Sequence, residues 1–282
     1  MLAILAPGQG SQTPGMLTAW LEDAELKNLL TSYSSAINLD LERLGTVADA
    51  DEIKDTANAQ PLIVAASLLS AHALGSAVQV SLVAGHSVGE IAAAALAATL
   101  TEVAAMKLVH LRGQEMAKAA ALAPAGMAAV LGGERSVVLA AIKELGLVAA
   151  NDNGAGQIVA AGNLDALSLL APDGARVRAL AVAGAFHTPF MEPAVAPLRA
   201  MAADIEISAA KVSVISNRDG AVVHDGREVL DRIVNQIANP VRWDLCMETL
   251  RAQGVTGVIE LAPGGTLAGL IKRAAPEIEQ LA

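Results

Sequence analysis

The sequence predicts an α/β protein in which a parallel sheet carries a small α+β insert. Short apolar runs alternate with longer segments of helical spacing, which is the pattern of strand–helix–strand units. A Gly-x-Ser-x-Gly turn joins one such strand to a helix, and residues 124–186 follow the order β-α-β-β-α-β. We therefore expect a large α/β-hydrolase-like domain, residues 1–123 and 187–282, and a small ferredoxin-like (split βαβ) subdomain, residues 124–186.

The amino-terminal part begins with a buried strand, residues 2–6, that feeds the loop Pro7-Gly8-Gln9-Gly10. Thr13 stands where a GxGxxG dinucleotide loop has its third glycine, so the sequence disfavours a nucleotide cofactor. Hydrophobic periodicity then predicts a strand at 82–84 and helices over residues 17–44, 61–74, 91–100 and 102–121.

The rest of the chain is predicted in the same way. The insert should contain strands at 127–131, 147–150, 157–161 and 175–182, with helices at 136–145 and 164–170. After the insert we expect a helix at 193–203, a strand at 212–216, helices from Glu228 and from Leu245, and a final strand at 255–261.

Composition excludes several classes of function. Of the 282 residues, 54% are hydrophobic and 17% charged, so long disordered stretches are not expected. The net charge of −10 and the 2% of aromatic residues disfavour binding to nucleic acid. Cys246 is the single cysteine and is predicted to be a core residue, which fits a reducing compartment. Neither a signal peptide nor a membrane span is predicted, so we expect a cytoplasmic protein.

Ser87 is the candidate nucleophile. It lies in Gly85-x-Ser87-x-Gly89, the spacing of a nucleophile elbow, in which a sharp turn lifts a hydroxyl above the sheet. The free N–H groups at the start of the following helix favour negative charge beside Ser87. The motif alone leaves open the alternative of a serine that only caps the helix.

His187 is the candidate general base among five histidines, because it lies on a loop between a strand-like run and a helix. His72 and His110 fall inside helical patterns, and His224 falls in a turn. The histidines and the single cysteine lack metal-ligand spacing, so no metal site is expected.

Arg112 interrupts a mostly apolar helical segment. A buried guanidinium needs an anionic partner, and its planar fork suits a substrate carboxylate. An internal salt bridge, or an arginine that extends to the surface, remains the alternative from the residue alone.

Together these motifs resemble malonyl-CoA:acyl carrier protein transacylases and the acyltransferase domains of polyketide synthases. The resemblance runs nearly end to end and rests on seven groups in the family's order. They are Pro7–Gln12, Gly85–Glu90, Leu111-Arg112-Gly113 with Met116, Ala150–Asn153 with Gly156–Val159, Gly184–His187, Ser216-Asn217 with Asn239–Trp243, and Glu260–Gly264.

The resemblance implies a role for each reacting group. Ser87 would become acylated, and His187 would act first as base and then as acid. The backbone carbonyl of Gln236 would orient His187 in place of an Asp side chain, and no Asp in the chain stands out for that role. The backbone N–H groups of Gln9 and Val88 would form the oxyanion hole.

The remaining implied residues bind substrate. Arg112 would pair with the free malonyl carboxylate, while Met116 and Asn153 would line the pocket. Phe186 stands beside the base, where it should crowd a 2-methyl group and favour malonyl over methylmalonyl.

The implied activity is ping-pong transfer of malonyl from malonyl-CoA, through a malonyl-serine, to the phosphopantetheine thiol of acyl carrier protein. No cofactor is expected, the protein should be a monomer, and both fatty acid and polyketide synthesis remain open. Because the carrier is typically acidic, docking needs a local basic patch, for which Arg176 and Arg178 are candidates.

Two other functions remain open at this point. One is a serine hydrolase or thioesterase of the α/β-hydrolase or patatin-like type, in which water replaces the carrier thiol. The other is a non-enzymatic acyl-binding module inside a larger synthase.

Overall fold

The computed structural model describes residues 1–75 and 78–281. Its strands are, in chain order, β1 (Leu2–Ala6), β2 (Leu82–Gly85), β3 (Ala125–Gly132), β4 (Val148–Asp152), β5 (Gln157–Asn163), β6 (Ala175–Ala179), β7 (Ser213–Ile215), β8 (Val222–Val223), β9 (Val241–Arg242), β10 (Gly257–Glu260) and β11 (Glu279–Leu281).

The helices surround and connect these strands. They are α1 (Ala24–Ile37), α2 (Leu41–Thr46), α3 (Ala50–Ile53), α4 (Thr56–Leu74), α5 (Gly89–Leu96), α6 (Glu102–Ala120), α7 (Arg135–Glu144), α8 (Leu164–Ser168), α9 (Glu192–Ala203), α10 (Gly226–Gln236), α11 (Trp243–Ala252) and α12 (Thr266–Ala274), with 3₁₀ turns at Trp20–Glu22 and Pro189–Met191.

The main sheet has the strand order β11-β10-β1-β2-β7-β8. The first five strands are parallel, and β8 is an antiparallel edge strand. Alternate residues of β1 enter different cores: Ile4 packs with the cluster around α4 and α6, whereas Leu5 packs with the cluster around α11 and α12. Both faces of the sheet are therefore covered, as the uninterrupted apolar runs of β1 and β2 predict.

The second sheet has the order β6-β3-β5-β4-β9. Its first four strands are antiparallel neighbours and, with α7 and α8, follow the β-α-β-β-α-β order expected of the insert. β9 pairs in parallel with β4 although it lies far along the chain, at Val241–Arg242. This sheet therefore takes a strand from outside residues 124–186, which sequence periodicity did not predict.

Two helix boundaries differ from the sequence prediction. Residues 17–44 are not one helix: Asn38 adopts a left-handed conformation at the end of α1, and the carboxylate of Asp40 caps the start of α2. α4 begins at Thr56 instead of Pro61 because Asp55 caps it, so Pro61 lies inside the helix. Hydrophobic spacing continues across these caps, which is why periodicity alone missed them.

The carboxyl-terminal elements and the last strand of the insert also differ from the sequence prediction. The strand predicted as the last is β10, and α12 and β11 follow it. The strand predicted at 175–182 ends at Ala179, and the residues after it turn toward the cleft between the sheets. No helix in the described ranges is long and apolar enough to span a membrane.

Close backbone contacts explain the two glycines of the elbow. A Cβ on Gly85 would lie 2.0 Å from the carbonyl carbon of Gly89, and a Cβ on Gly89 would lie 2.2 Å from the carbonyl oxygen of Ala6. Both distances are far inside van der Waals contact. The motif therefore lets β1, β2 and the start of α5 meet at one point, directly below Ser87.

Candidate active site

The elbow brings Ser87 and His187 together from opposite parts of the chain. Ser87 Oγ lies 2.7 Å from His187 Nε2. Both residues have positive φ angles, 53° and 61°, which are costly for residues with a side chain and are typical of functional sites. The Nδ1 atom of His187 lies 2.8 Å from the backbone carbonyl of Gln236 and donates to it. The remaining nitrogen, Nε2, is thus left to accept the Ser87 proton.

The environment of His187 keeps its imidazole neutral. Burial, and then the positive charge of Arg112, lower the pKa of His187 to about 3, while the hydrogen bond to the Gln236 carbonyl opposes the shift. At neutral pH the side chain is therefore a base without a proton on Nε2. That state is the one that a serine nucleophile requires.

Arg112 is 1% exposed and lies directly beside Ser87. Its Nη1 donates to Gln60 Oε1 at 2.6 Å and its Nη2 to Gln236 Oε1 at 3.0 Å. Nη2 also lies 3.4 Å from Ser87 Oγ. Burial lowers the pKa of Arg112 to about 10, against the attraction of Glu90, so the guanidinium stays charged at neutral pH.

Neutral amide carbonyls, not carboxylates, hold the Arg112 guanidinium. No carboxylate of the described residues forms an ion pair with it. The sequence alternatives of an internal salt bridge and of a surface arginine are therefore both wrong. Gln60 and Gln236 each occupy one N–H of a terminal nitrogen, and each terminal nitrogen carries two. The second N–H of Nη2 is directed at Ser87 Oγ, 3.4 Å away, so one N–H on Nη1 and the Nε–H have no acceptor among the described residues.

Two backbone amides lie beside Ser87. Val88 precedes the first turn of α5, and Gln9 belongs to the loop after β1 and lines the cavity. Among residues 1–75 and 78–281, neither the Gln9 nor the Val88 amide donates to a protein acceptor. They are free to receive an oxyanion that forms on an acyl group attached to Ser87.

The cavity measures about 230 Å³ and lies between the two sheets. Its apolar lining includes Met116, Met127, Val159 and Phe186, which come from both parts of the fold. Asn153 also lines it and accepts a 2.8 Å hydrogen bond from His86 Nε2. Six sequence-predicted site residues line this cavity: Gln9, Ser87, Met116, Asn153, Phe186 and His187. Arg112 and Gln236 do not line it but contact Ser87 and His187, which do. Asn153 also contacts His86, and Met116 contacts the Gln60 amide.

Sequence reasoning did not name Gln60, and it noted Glu90 and Asn217 only as members of the family's motifs, without a role in catalysis or binding. Gln60 and Asn217 are buried, as is Glu90. Asn217 Oδ1 accepts from the Ser87 amide at 2.8 Å, and its Nδ2 donates to the Gly85 carbonyl at 2.7 Å. A polar side chain inside an apolar helix was the available signal for Gln60 and Glu90. The partners of these side chains are too distant in sequence to infer.

A Ser–His pair on an elbow above a mainly parallel sheet is typical of enzymes that act on acyl groups. Residues 4–281 match the acyl transferase domain family, and the chain belongs to this family. The protein is an acyltransferase.

Similarity to individual proteins extends over nearly the whole chain. The chain is 52% identical over 280 residues to the malonyl CoA-acyl carrier protein transacylase of Mycobacterium tuberculosis. The alignment covers 97% of this chain and 93% of that protein. The crystal structure of MCAT from Mycobacterium tuberculosis has a TM-score of 0.97 and 51% identity, covering 100% of this chain and 96% of that one.

A solved complex is also similar. It contains a type II PKS acyl-carrier protein with its malonyl-transacylase, and the match has a TM-score of 0.91 and 29% identity. The alignment covers 99% of this chain and 94% of that chain.

The electrostatic description of His187 is testable. In Arg112→Met, the pKa of His187 should rise from about 3 but remain below 6.5, because the charge is removed while burial remains. Histidine-selective NMR across a pH series measures this value. Lys107→Met, an exposed change on the same helix, should leave it unchanged. A His187 that titrates near 6.5 in the unsubstituted protein would contradict the description.

Proposed function

We propose that this protein transfers the malonyl group of malonyl-CoA to the phosphopantetheine thiol of an acyl carrier protein. The observation that carries the proposal is that Ser87 and His187 line one cavity while a charged Arg112 without a carboxylate partner lies 3.4 Å from Ser87 Oγ. The names of the relatives, malonyl CoA-acyl carrier protein transacylases, support it.

The first half-reaction acylates Ser87. His187 Nε2 takes the Oγ proton as Oγ attacks the thioester carbonyl of malonyl-CoA. The tetrahedral oxyanion is stabilised by the amides of Gln9 and Val88. Collapse breaks the C–S bond, the CoA thiolate leaves with the proton from the imidazolium, and malonyl-Ser87 remains.

The second half-reaction runs the same chemistry with the carrier as acceptor. His187 takes the proton of the phosphopantetheine thiol, and the sulfur attacks the ester carbonyl of malonyl-Ser87. The C–Oγ bond breaks and Oγ recovers the proton from His187. The two products leave in sequence, which is a ping-pong mechanism.

Arg112 gives the pocket its preference for an acid. The malonyl carboxylate would accept from the free N–H of Nη1 and from the N–H of Nη2 that is directed at Ser87 Oγ before acylation, as a charge-assisted bidentate pair. An acetyl group would leave this buried charge without its partner, which costs several kcal/mol. Phe186, 5% exposed, borders the same cavity, and its ring would crowd a 2-methyl substituent. We expect this contact to disfavour methylmalonyl relative to malonyl by about 1–3 kcal/mol.

The insert offers a docking edge for the carrier. On β6, Arg176 and Arg178 pair with Leu131 and Ala129, so they lie on the sheet face that also carries Met127, a cavity residue. Both arginines are exposed, and Leu180, two residues further on, lines the cavity. Two positive charges at this position suit an acidic carrier, and the similar solved complex supports such a partner.

The hydrolase alternative is weaker because His187 lacks a carboxylate partner. Its Nδ1 donates to the Gln236 carbonyl instead of to an Asp or Glu side chain. Arg112 also has no role in attack by water.

We also propose that the chain has two parts: an α/β-hydrolase-like domain of residues 1–123 and 187–282, and a ferredoxin-like subdomain of residues 124–186. We propose in addition that the protein is a cytoplasmic monomer and that it works without a cofactor or a metal ion.

Intact mass spectrometry tests the chemistry. After addition of malonyl-CoA, the protein should gain the mass of one malonyl group, and Ser87→Ala should gain none. Arg112→Ala should gain much less malonyl while it still accepts acetyl from acetyl-CoA, because only the malonyl group uses the guanidinium.

The same experiment separates the alternatives. Continuous CoA release without a carrier protein would favour a hydrolase. A Ser87→Ala protein that still transfers malonyl to the carrier would favour a binding module. Either result would contradict the proposed mechanism.

The docking edge is tested by Arg178→Glu. This variant should raise the KM for the carrier several-fold and leave Ser87 loading by malonyl-CoA unchanged, because the reversed charge repels only the acidic partner. Lys143→Glu is the matched control: it reverses one exposed charge on α7, on the opposite face of the same insert. Equal effects of the two variants would show that net charge, not this edge, governs docking.

A further inference from the structure

Glu90 is a buried carboxylate that takes no part in the proposed chemistry. It lies in the first turn of α5 and is 3% exposed. Its Oε1 accepts from the backbone amide of Asn217 and its Oε2 accepts from Gln236 Nε2, both at 2.6 Å. Such short bonds to a buried carboxylate are strong, so Glu90 fixes both partners.

The two partners of Glu90 hold all three functional side chains. Asn217 anchors the strained backbone of Ser87 through the Ser87 amide. Gln236 holds His187 with its backbone carbonyl and Arg112 with its side-chain carbonyl. One carboxylate therefore supports the nucleophile, the base and the guanidinium without touching substrate.

We propose that Glu90 is a positioning residue of the malonyl site, whose ionised carboxylate sets the orientation of the Gln236 amide and thereby presents Arg112 to the substrate carboxylate. This inference rests on the proposed function, because the presented group is the one that would select malonyl.

The orientation follows from donor and acceptor chemistry. An ionised carboxylate only accepts hydrogen bonds, so the NH₂ group of Gln236 faces Glu90. Nε2 also lies 3.2 Å from the Ser87 carbonyl and 3.1 Å from Asn217 Oδ1, but its 2.6 Å bond to Glu90 is the shortest of the three and the only one to a charged acceptor. The carbonyl end of that amide then faces Arg112, which only donates. A reversed amide would place N–H groups against the guanidinium and an oxygen against the carboxylate. Both contacts would be repulsive.

The spacing of the charges also matters. Glu90 is separated from Arg112 by the Gln236 amide, so it attracts the guanidinium without pairing with it. A carboxylate in direct contact would compete with the malonyl group for the same N–H donors. Placed one amide away, Glu90 stabilises the charge of Arg112 and leaves two donors free.

The role requires the ionised form of Glu90. Burial raises the pKa of Glu90 to about 7, opposed by the bond from Asn217 and by the charges of Arg112 and Arg232, while Asp219 adds to the rise. The Cys246 thiol also faces Glu90, and burial raises its pKa, so it stays neutral in this range. A proton on Glu90 would add an O–H donor where acceptors are needed.

The ionisation of Glu90 also changes folding stability with pH. The pKa of Glu90 is higher in the folded protein, about 7, than its ordinary value of 4.5, so the folded state binds the proton more tightly. Folding stability therefore falls as pH rises from 4.5 through 7 and Glu90 ionises.

The experiment compares Glu90→Gln with Glu102→Gln. Glu102 is the matched control because it also accepts two side-chain hydrogen bonds, from Tyr33 and His72, but lies away from Ser87. Single-turnover loading of Ser87 by malonyl-CoA and by acetyl-CoA is measured between pH 5 and 9, with thermal melting of each variant as a check on folding.

We expect Glu90→Gln to lower the ratio of malonyl to acetyl loading by about tenfold at pH 8, equivalent to ~1.4 kcal/mol. In the unsubstituted protein, malonyl loading should fall as pH drops below about 7, because His187 is already neutral there and Glu90 takes the proton. This fall in loading at low pH, the acidic limb of the pH profile, should be absent from Glu90→Gln and present in Glu102→Gln.

Two further variants keep the test decisive. In an Arg112→Met background, Glu90→Gln should leave the loading ratio unchanged, because both act through the same guanidinium. If Glu90→Gln does not fold, Glu90→Asp keeps the charge but shortens the side chain, and it should retain the acidic limb with slower malonyl loading.

Three outcomes would overturn the inference: an unchanged loading ratio with the acidic limb retained, an equal loss of malonyl and acetyl loading, or a further effect in the Arg112→Met background. Failure of the proposed function looks different, because the unsubstituted protein would then form no malonyl adduct.

Discussion

The site depends on one electrostatic constraint: the Arg112 guanidinium is buried and charged, and protein carboxylates do not neutralise it. An isolated buried charge costs several kcal/mol, which the protein offsets with two amide carbonyls and with Glu90 one amide further away. The chain thereby keeps a strong anion-binding group unpaired beside a small cavity. The same charge adds to burial in lowering the pKa of His187, so Arg112 also helps to keep the imidazole neutral.

Around this charge, the fold brings together residues from distant parts of the chain. The main sheet supplies the elbow, α6 supplies Arg112, α10 ends at Gln236, and the insert closes the cavity from the other side. β9 joins the insert to the carboxyl-terminal part by pairing with β4. Beside it, Nε and Nη2 of Arg135 both donate to Asp152 Oδ2. The positive φ angles of Ser87 and His187 are maintained because Asn217 and the Ile237 carbonyl hold their backbone amides.

Much of this arrangement was predictable from sequence, for identifiable reasons. The elbow motif depends on local backbone geometry, so Ser87 and its two glycines could be recognised directly. His187 and Arg112 stood out as a loop histidine and as an arginine in an apolar helix, and family resemblance assigned their roles. Gln60 could not be placed, because its contact with Arg112 joins residues 52 positions apart. The predicted helix boundaries at Asp40 and Asp55 and the predicted end of β6 were wrong. Hydrophobic spacing shows neither where a side chain caps a helix nor where strand pairing ends.

The most direct test of this account is the crystal structure of the protein trapped as malonyl-Ser87. The account predicts that the free carboxylate accepts hydrogen bonds from both terminal nitrogens of Arg112, while the ester carbonyl points at the amides of Gln9 and Val88. A malonyl group whose carboxylate lies in solvent, with Arg112 still bound only to Gln60 and Gln236, would contradict it.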